Sequence, residues 1–439
     1  MHNYQEIKSM LDAQNFFPNA ETVAHFDFQS QTIHLNKVKK KKYIDSLREN
    51  DLFALKNSLG TIYHEVTHWA DTVGTLWGRA HINALYACYQ VMPFISQQGA
   101  EYEFHKFIDL HDRERRMMYS RYFRTVDPDP PAHDHRNPWA IHFSAGREFD
   151  ANGHPNLHRP ILFIKFSSDI SGRQVARQPL SAGALLEVNA IWSEICSIFQ
   201  VIGAMNEEQR VVEVGIYRTQ LLKMLYTPEL TIYTAPAHLL AYYSKVRDVV
   251  EGYRTASALA HLVLNLGPEH YTALIPSKDM SAWQDFFEGF KNTCDVGFAY
   301  MVIASNVDEW QAGCDLRDWV DKALLKSGLP NSSDIYDHAE KLMAAEAAPQ
   351  GVNEVSRAHE YILSLGLQLF RVRRSGEVAL TLPDTIKSKL PIVPAFDEEG
   401  ELISIGGVPF DVSRFSPEDM YERSAALVTW QRRFFDACR

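Results

Sequence analysis

The sequence predicts an α+β protein that is predominantly α-helical, with only small patches of sheet. Three observations predict it. Apolar residues recur every three or four positions through long stretches, clearest at 59–76, 181–201 and 207–225 and across most of 242–361, and this spacing buries one face of a helix. Alternation at the strand period is confined to short stretches near 25–36, 141–143 and 149–166, with a late β element at 378–408. The composition, 46% apolar and 23% charged over 439 residues, is that of a globular chain long enough to bury a large core.

Taken in order, 25–36 sets Phe26 and Phe28, then Ile33 and Leu35, around Gln29-Ser30-Gln31 and predicts a short hairpin or one bent strand. Four lysines at 39–42 predict a solvated turn. Residues 80–122 predict helix broken at Pro93 and near 97–99. The segment 124–139, with Pro128, Pro130, Pro131 and Pro138, predicts a loop, because successive X-Pro units exclude helix and central strand; within a domain such a loop is a candidate lid. A second hairpin is expected over 141–166, turning at 151–153. The remainder is mostly helical, ending in a helix from 418. The expected division is a core over 1–225 with the 124–139 loop inserted, then a mostly helical region over 226–439, or a single domain throughout.

A net charge of −11 argues against a nucleic-acid surface. No stretch reaches the roughly 18 apolar residues of a membrane helix, and 1–20 lacks the basic and apolar regions of a secretory signal. Five scattered cysteines without CxxC pairing read as reduced thiols. The expected location is therefore the cytoplasm, with non-classical export as the alternative. No nucleic-acid or membrane partner is expected.

The chemistry concentrates in His64-Glu65-Val66-Thr67-His68, an HExxH motif. With 18 His in the chain, chance alone would supply about 0.05 copies. The local pattern adds weight. Leu59, Ile62, Val66, Trp69, Val73 and Leu76 form one apolar stripe, whereas Thr61, His64, His68, Asp71 and Thr75 repeat on another face. Gly60 and Gly74 bracket the stretch. Two imidazoles at i and i+4 stand one above the other and can share a Zn²⁺ ion, and Glu65 is the candidate general base for a water on it.

A catalytic zinc takes a third protein ligand and leaves the fourth place to water. The metzincin continuation fails, since Asp71 and Gly74 stand where glycine and histidine are required. Glu187, in Leu185-Leu186-Glu187-Val188-Asn189-Ala190, is the first candidate, because a carboxylate bordering an apolar helix face is costly without a cation. The alternative is a solvated face shared with Asn189, Ser193 and Glu194. Glu101 is the rival ligand, and His133, His135 and His142 are lesser ones. Asp71 or Glu194 is expected to orient an imidazole through its second nitrogen. His142, Arg147 and Tyr233 are candidates to stabilise an oxyanion.

HExxH with a distant Leu-Leu-Glu187-x-x-Ala190 resembles the gluzincin branch of the zincin metallopeptidases, in which a Glu on a later helix completes the zinc site. The likeness covers little more than these two helices, and residues 69–186 between them are a longer interval than compact gluzincins have. It implies a zincin-like core, in which a small sheet lies against the HExxH helix, and a zinc-dependent peptidase acting on protein or peptide. The alternative is a non-catalytic helical interaction protein with a degenerate or structural metal site.

Overall fold

The computed structural model describes residues 23–95, 97, 101–127, 133–150, 152–346, 353–374 and 378–437, without the side chains of Glu101 and Ala437. Part of the break expected at 97–99, Ala151 of the expected turn, the centre of the proline loop and Cys438 lie outside these residues. In chain order the elements are β1 (His25–Asp27), β2 (Thr32–His34), α1 (Lys40–Glu49), α2 (Leu52–Gly74), α3 (Leu76–Val91), α4 (Phe104–Met118), β3 (Arg124–Thr125), β4 (Ala140–Phe149), β5 (Pro155–Ser167) and β6 (Gln174–Pro179). Helices α5 (Ala182–Gly203), α6 (Glu207–Leu225), α7 (Thr231–Ser244), α8 (Val249–Val263), α9 (Pro268–Ala273), α10 (Phe287–Asn292), α11 (Val296–Ala304), α12 (Leu316–Lys326), α13 (Ser332–Ala345), α14 (Glu354–Arg374) and α15 (Leu382–Ser388) follow. The chain ends with β7 (Ala395–Phe396), β8 (Leu402–Ile403) and α16 (Pro417–Ala437). This is the helix-rich α+β composition the periodicity predicts.

Two units interleave along the sequence. One comprises Met1–Glu114, Ser193–Met205 and Met343–Arg439; the other comprises Arg115–Trp192 and Asn206–Leu342. The division falls inside α5.

The first unit is organised around α2. Asp51 caps it by accepting from the backbone N–H of Phe53 and Ala54, both at 3.1 Å, so the helix starts well before Gly60, which lies in its interior rather than at its edge. From Leu59 to Thr75 every residue except Thr61 and His64 is buried. Of the polar face, His68, Asp71 and Thr75 are thus enclosed too, while Thr61 and His64 are half-buried. Asp71 and Arg373 of α14, both fully buried, pair at 2.5 Å, and Arg373 Nε also donates to the Val378 carbonyl at 3.0 Å. Helices α2 and α14 cross where a Cβ added to Gly366 would lie 1.9 Å from the Val73 carbonyl oxygen.

The sheet of this unit runs β1-β2-β7-β8, with β2 and β7 parallel and the other pairs antiparallel. The expected 25–36 hairpin is present, turned by Asp27, whose carboxylate accepts from Gln29 N–H and Ser30 Oγ. The late β element is no separate patch: β7 and β8 extend the hairpin, because two strands alone are marginal in water. Residues 378–382, expected as strand, instead tie down α5: Leu380 N–H donates to Ser193 Oγ at 3.0 Å, and Gln200 Nε2 to Thr381 Oγ1 at 3.0 Å. Tyr63 of α2 meets Thr385 at 2.9 Å. The lysines at 39–42 are likewise not a turn; Lys40–Lys42 open α1, where Lys39 pairs with Glu398 and Lys40 with Glu401.

The second unit carries an antiparallel sheet ordered β3-β6-β5-β4. The expected hairpin at its centre turns on Asp150, whose side chain accepts from Asn152 and His154 N–H, and on Gly153 at φ +79°. Leu162, Ile164 and Phe166 point into the core, where Trp139 packs tilted and His238 edge-on against Phe166. Burial lowers the pKa of His238 to about 4. Helix α5 is long and apolar enough to cross a membrane, but 78% of its most apolar window is buried inside the protein. No disulfide joins the described cysteines.

Two measurements test these packing arguments. Arg373→Met strands the Asp71 charge in the core and should cost about 3–5 kcal/mol in urea unfolding, with Asp71→Asn/Arg373→Met recovering part of the loss. Glu114, bonded by Gln29 at 2.8 Å, has its carboxyl pushed by burial from 4.5 up to about 7. Its contribution is complete below pH 4.5 and lost as the pH rises through about 7; Glu114→Gln should therefore shrink the fall in unfolding free energy between pH 5 and pH 8.

Candidate metal centre

The helical repeat sets His64 and His68 one turn apart on α2, with ring centroids 5.0 Å apart and planes inclined by 77°. Their Nε2 atoms are 3.3 Å from each other and so face one point. Glu187 of α5 is the third member: one ligand atom from each of His64, His68 and Glu187 lies within 4.8 Å of the others. Among the described residues this is the one group of three or more His, Cys, Asp or Glu side chains close enough to share an ion. The solvated-face alternative for α5 does not hold, since Glu187 is 7% exposed, Asn189 1% and Ser193 0%.

Glu194, two turns beyond Glu187, lies with Oε2 3.3 Å from His64 Nδ1. A carboxylate only accepts, so Nδ1–H is the donor and Nε2 keeps its lone pair for a metal. Gly60 makes this reach possible. A Cβ there would stand 2.9 Å from Ile198 Cδ1 and 3.4 Å from Glu194 Cγ, so the side chains of α5 pack directly on α2 one turn before His64. That glycine was readable at i−4 from the first motif histidine, but as a helix boundary it carried no such meaning.

Glu65 is 7% exposed and makes no hydrogen bond or ion pair with the described residues, and its carboxylate oxygens still reach solvent. A buried carboxylate so placed is costly unless water or a ligand satisfies it. Asp71, the other residue expected beside the imidazoles, is engaged by Arg373. Phe28, from the β1–β2 turn, sets its ring 6.3 Å from that of His68, and its carbonyl meets His81 Nε2 at 3.4 Å.

The remaining candidates fall elsewhere or outside view. The side chain of Glu101 lies outside the described residues. His133 Nδ1 bonds the Asn137 carbonyl at 2.9 Å, and His135 and His142 are exposed; none of the three joins the cluster. Arg147 stacks 4.8 Å above the Phe286 ring, and Tyr233 is a half-buried residue of α7.

No family model, no curated protein and no solved structure matches this chain. The geometry therefore stands on its own residues: a His-His-Glu cluster, with His68 and Glu187 buried and His64 half-buried, able to hold a metal ion. Because Glu194 orients His64, Glu194→Gln should weaken divalent-metal binding about 10–100-fold in a chelator competition, whereas His68→Ala should abolish stoichiometric binding.

Proposed function

We propose that the protein is a zinc-dependent hydrolase, and specifically a metallopeptidase of gluzincin-like design. One observation carries the reading: two imidazoles and one carboxylate converge within 4.8 Å, and the buried Glu65 between the histidines has no partner among the described residues. Two nitrogens and one oxygen suit zinc, and three protein ligands are the number at which a catalytic site leaves a place for water.

Zinc held by His64, His68 and Glu187 would supply Lewis acidity, acidifying a water and polarising a carbonyl. Glu65 takes the proton of the attacking water and returns it to the leaving amine. Glu194 holds the His64 tautomer, and the enclosure of α2 keeps both imidazoles in fixed rotamers. A peptide is favoured as substrate because β1 ends the sheet that packs against α2, and a terminal strand can hold an extended chain by its backbone groups. The competing reading, a structural metal site in an interaction protein, asks for a fourth protein ligand and has no use for Glu65.

The discriminating experiment pairs two variants. Glu65→Gln should keep one zinc per chain and lose hydrolysis of a casein or mixed-peptide substrate by at least about 100-fold, in line with removal of a general base; His68→Ala should lose both. Zinc-loaded protein with no hydrolytic activity, unchanged by Glu65→Gln, would sink the catalytic reading and favour the structural one.

A further inference from the structure

The sheet of the second unit carries a second chemical feature, away from any metal ligand. The in-register pairs Arg124–Arg177, Arg177–Lys165 and Lys165–His142 run through β3, β6, β5 and β4 in their spatial order. Directly opposed residues share a face, with Cβ atoms about 5 Å apart. The four basic side chains therefore form one row across the whole sheet, roughly 15 Å long on that spacing.

Such a row works against the fold, because like charges directly opposite one another destabilise a sheet. The neighbouring arginines show the usual remedy: Arg115 and Arg116 both pair with the buried Glu148. The row has no such remedy. Among the described residues Arg124, Arg177 and Lys165 form no ion pair, and Arg177 is held only by the Tyr122 carbonyl at 3.3 Å and the Phe163 ring at 5.0 Å. Arg124 and burial together lower the pKa of Arg177, burial being the larger cause. Arg124 and His142 are exposed and Lys165 and Arg177 half-buried. The side chains flanking them on the same face are uncharged: Ala140, Ser144 and Ser167 are small, and the larger Phe163 is buried beneath Arg177.

We propose that this row is a docking strip for an acidic segment of a protein or peptide, laid across the strands so that successive Asp or Glu side chains meet Arg124, Arg177, Lys165 and His142. Local charge complementarity selects an anionic partner. A short acidic peptide is favoured over a nucleic acid for two reasons. A chain of net charge −11 repels an extended polyanion at long range, whereas a short segment senses mainly charges within a Debye length of about 10 Å. The row also lacks an exposed aromatic platform on which bases would stack, since Phe163 is 7% exposed and lies beneath Arg177.

The proposal does not depend on the metal reading, and its test uses binding alone. Fluorescence anisotropy of the full chain with labelled octaglutamate and octaserine at low salt should show binding of the former only, weakening as salt rises. Arg124→Gln/Lys165→Gln should lower octaglutamate affinity at least tenfold while zinc content and the circular-dichroism melting curve stay as in the parent chain. Should that pair fail to fold, the two single changes, each at a solvent-reached position, are read separately, with a threefold or greater loss expected from each. Octaglutamate binding no tighter than octaserine, or binding untouched by these changes, overturns the proposal. A single-stranded oligonucleotide of equal charge that binds more tightly than octaglutamate through the same residues overturns it in favour of a nucleic-acid surface.

Discussion

A helix that carries two histidines and two carboxylates within eight residues is enclosed on nearly all sides, and the first unit is built to satisfy it. Burying the apolar stripe of α2 is ordinary; burying Asp71 with it is not, because an unpaired carboxylate in the core costs several kcal/mol. Arg373 answers that charge from a helix three hundred residues away in sequence. The same crossing brings Gly74 and Gly366 into contact, so the ion pair and the close helix approach specify one register together. With α2 fixed in this way, His68 is held in the interior and His64 at its border.

The second constraint is the spacing of α2 and α5. Gly60 permits it, Ser193 and Gln200 of α5 are held by residues 380–381, and Tyr63 of α2 is held by Thr385. Both helices are thus gripped by one short stretch of backbone. The grip lies beside the chemistry: Tyr63 precedes His64, and Ser193 precedes Glu194. Placement of an imidazole and its orienting carboxylate is thus supported by helix packing and by hydrogen bonds from the residues next to them.

Much of this was legible in the sequence. The HExxH helix, the buried stripe from Leu59 to Val73, the hairpins at 25–36 and 141–166 and the choice of Glu187 follow from periodicity, turn residues and the cost of a buried charge. What was not legible depends on contacts distant along the chain. The burial of the polar face of α2 is invisible because Asp71 and Arg373 each look like surface charges in isolation. The joining of β7 to β2 pairs segments more than 350 residues apart, which no local pattern encodes. Lys39–Lys42 read as a turn because lysine runs are polar, yet lysine propagates helices well, and Glu398 and Glu401 across the fold take up its charge.

The grip by Arg373 and by residues 378–385 also sets a timetable. Residues 52–74 leave the ribosome about 300 residues before their clamp, a delay of roughly 15–60 s at 5–20 residues per second. For that interval the motif helix has no Arg373 for its buried acid and no hydroxyl for Tyr63. Its pair of imidazoles exists as sequence before the contacts that hold its helix exist, so the cluster that could hold a metal ion is fully supported only in the finished chain.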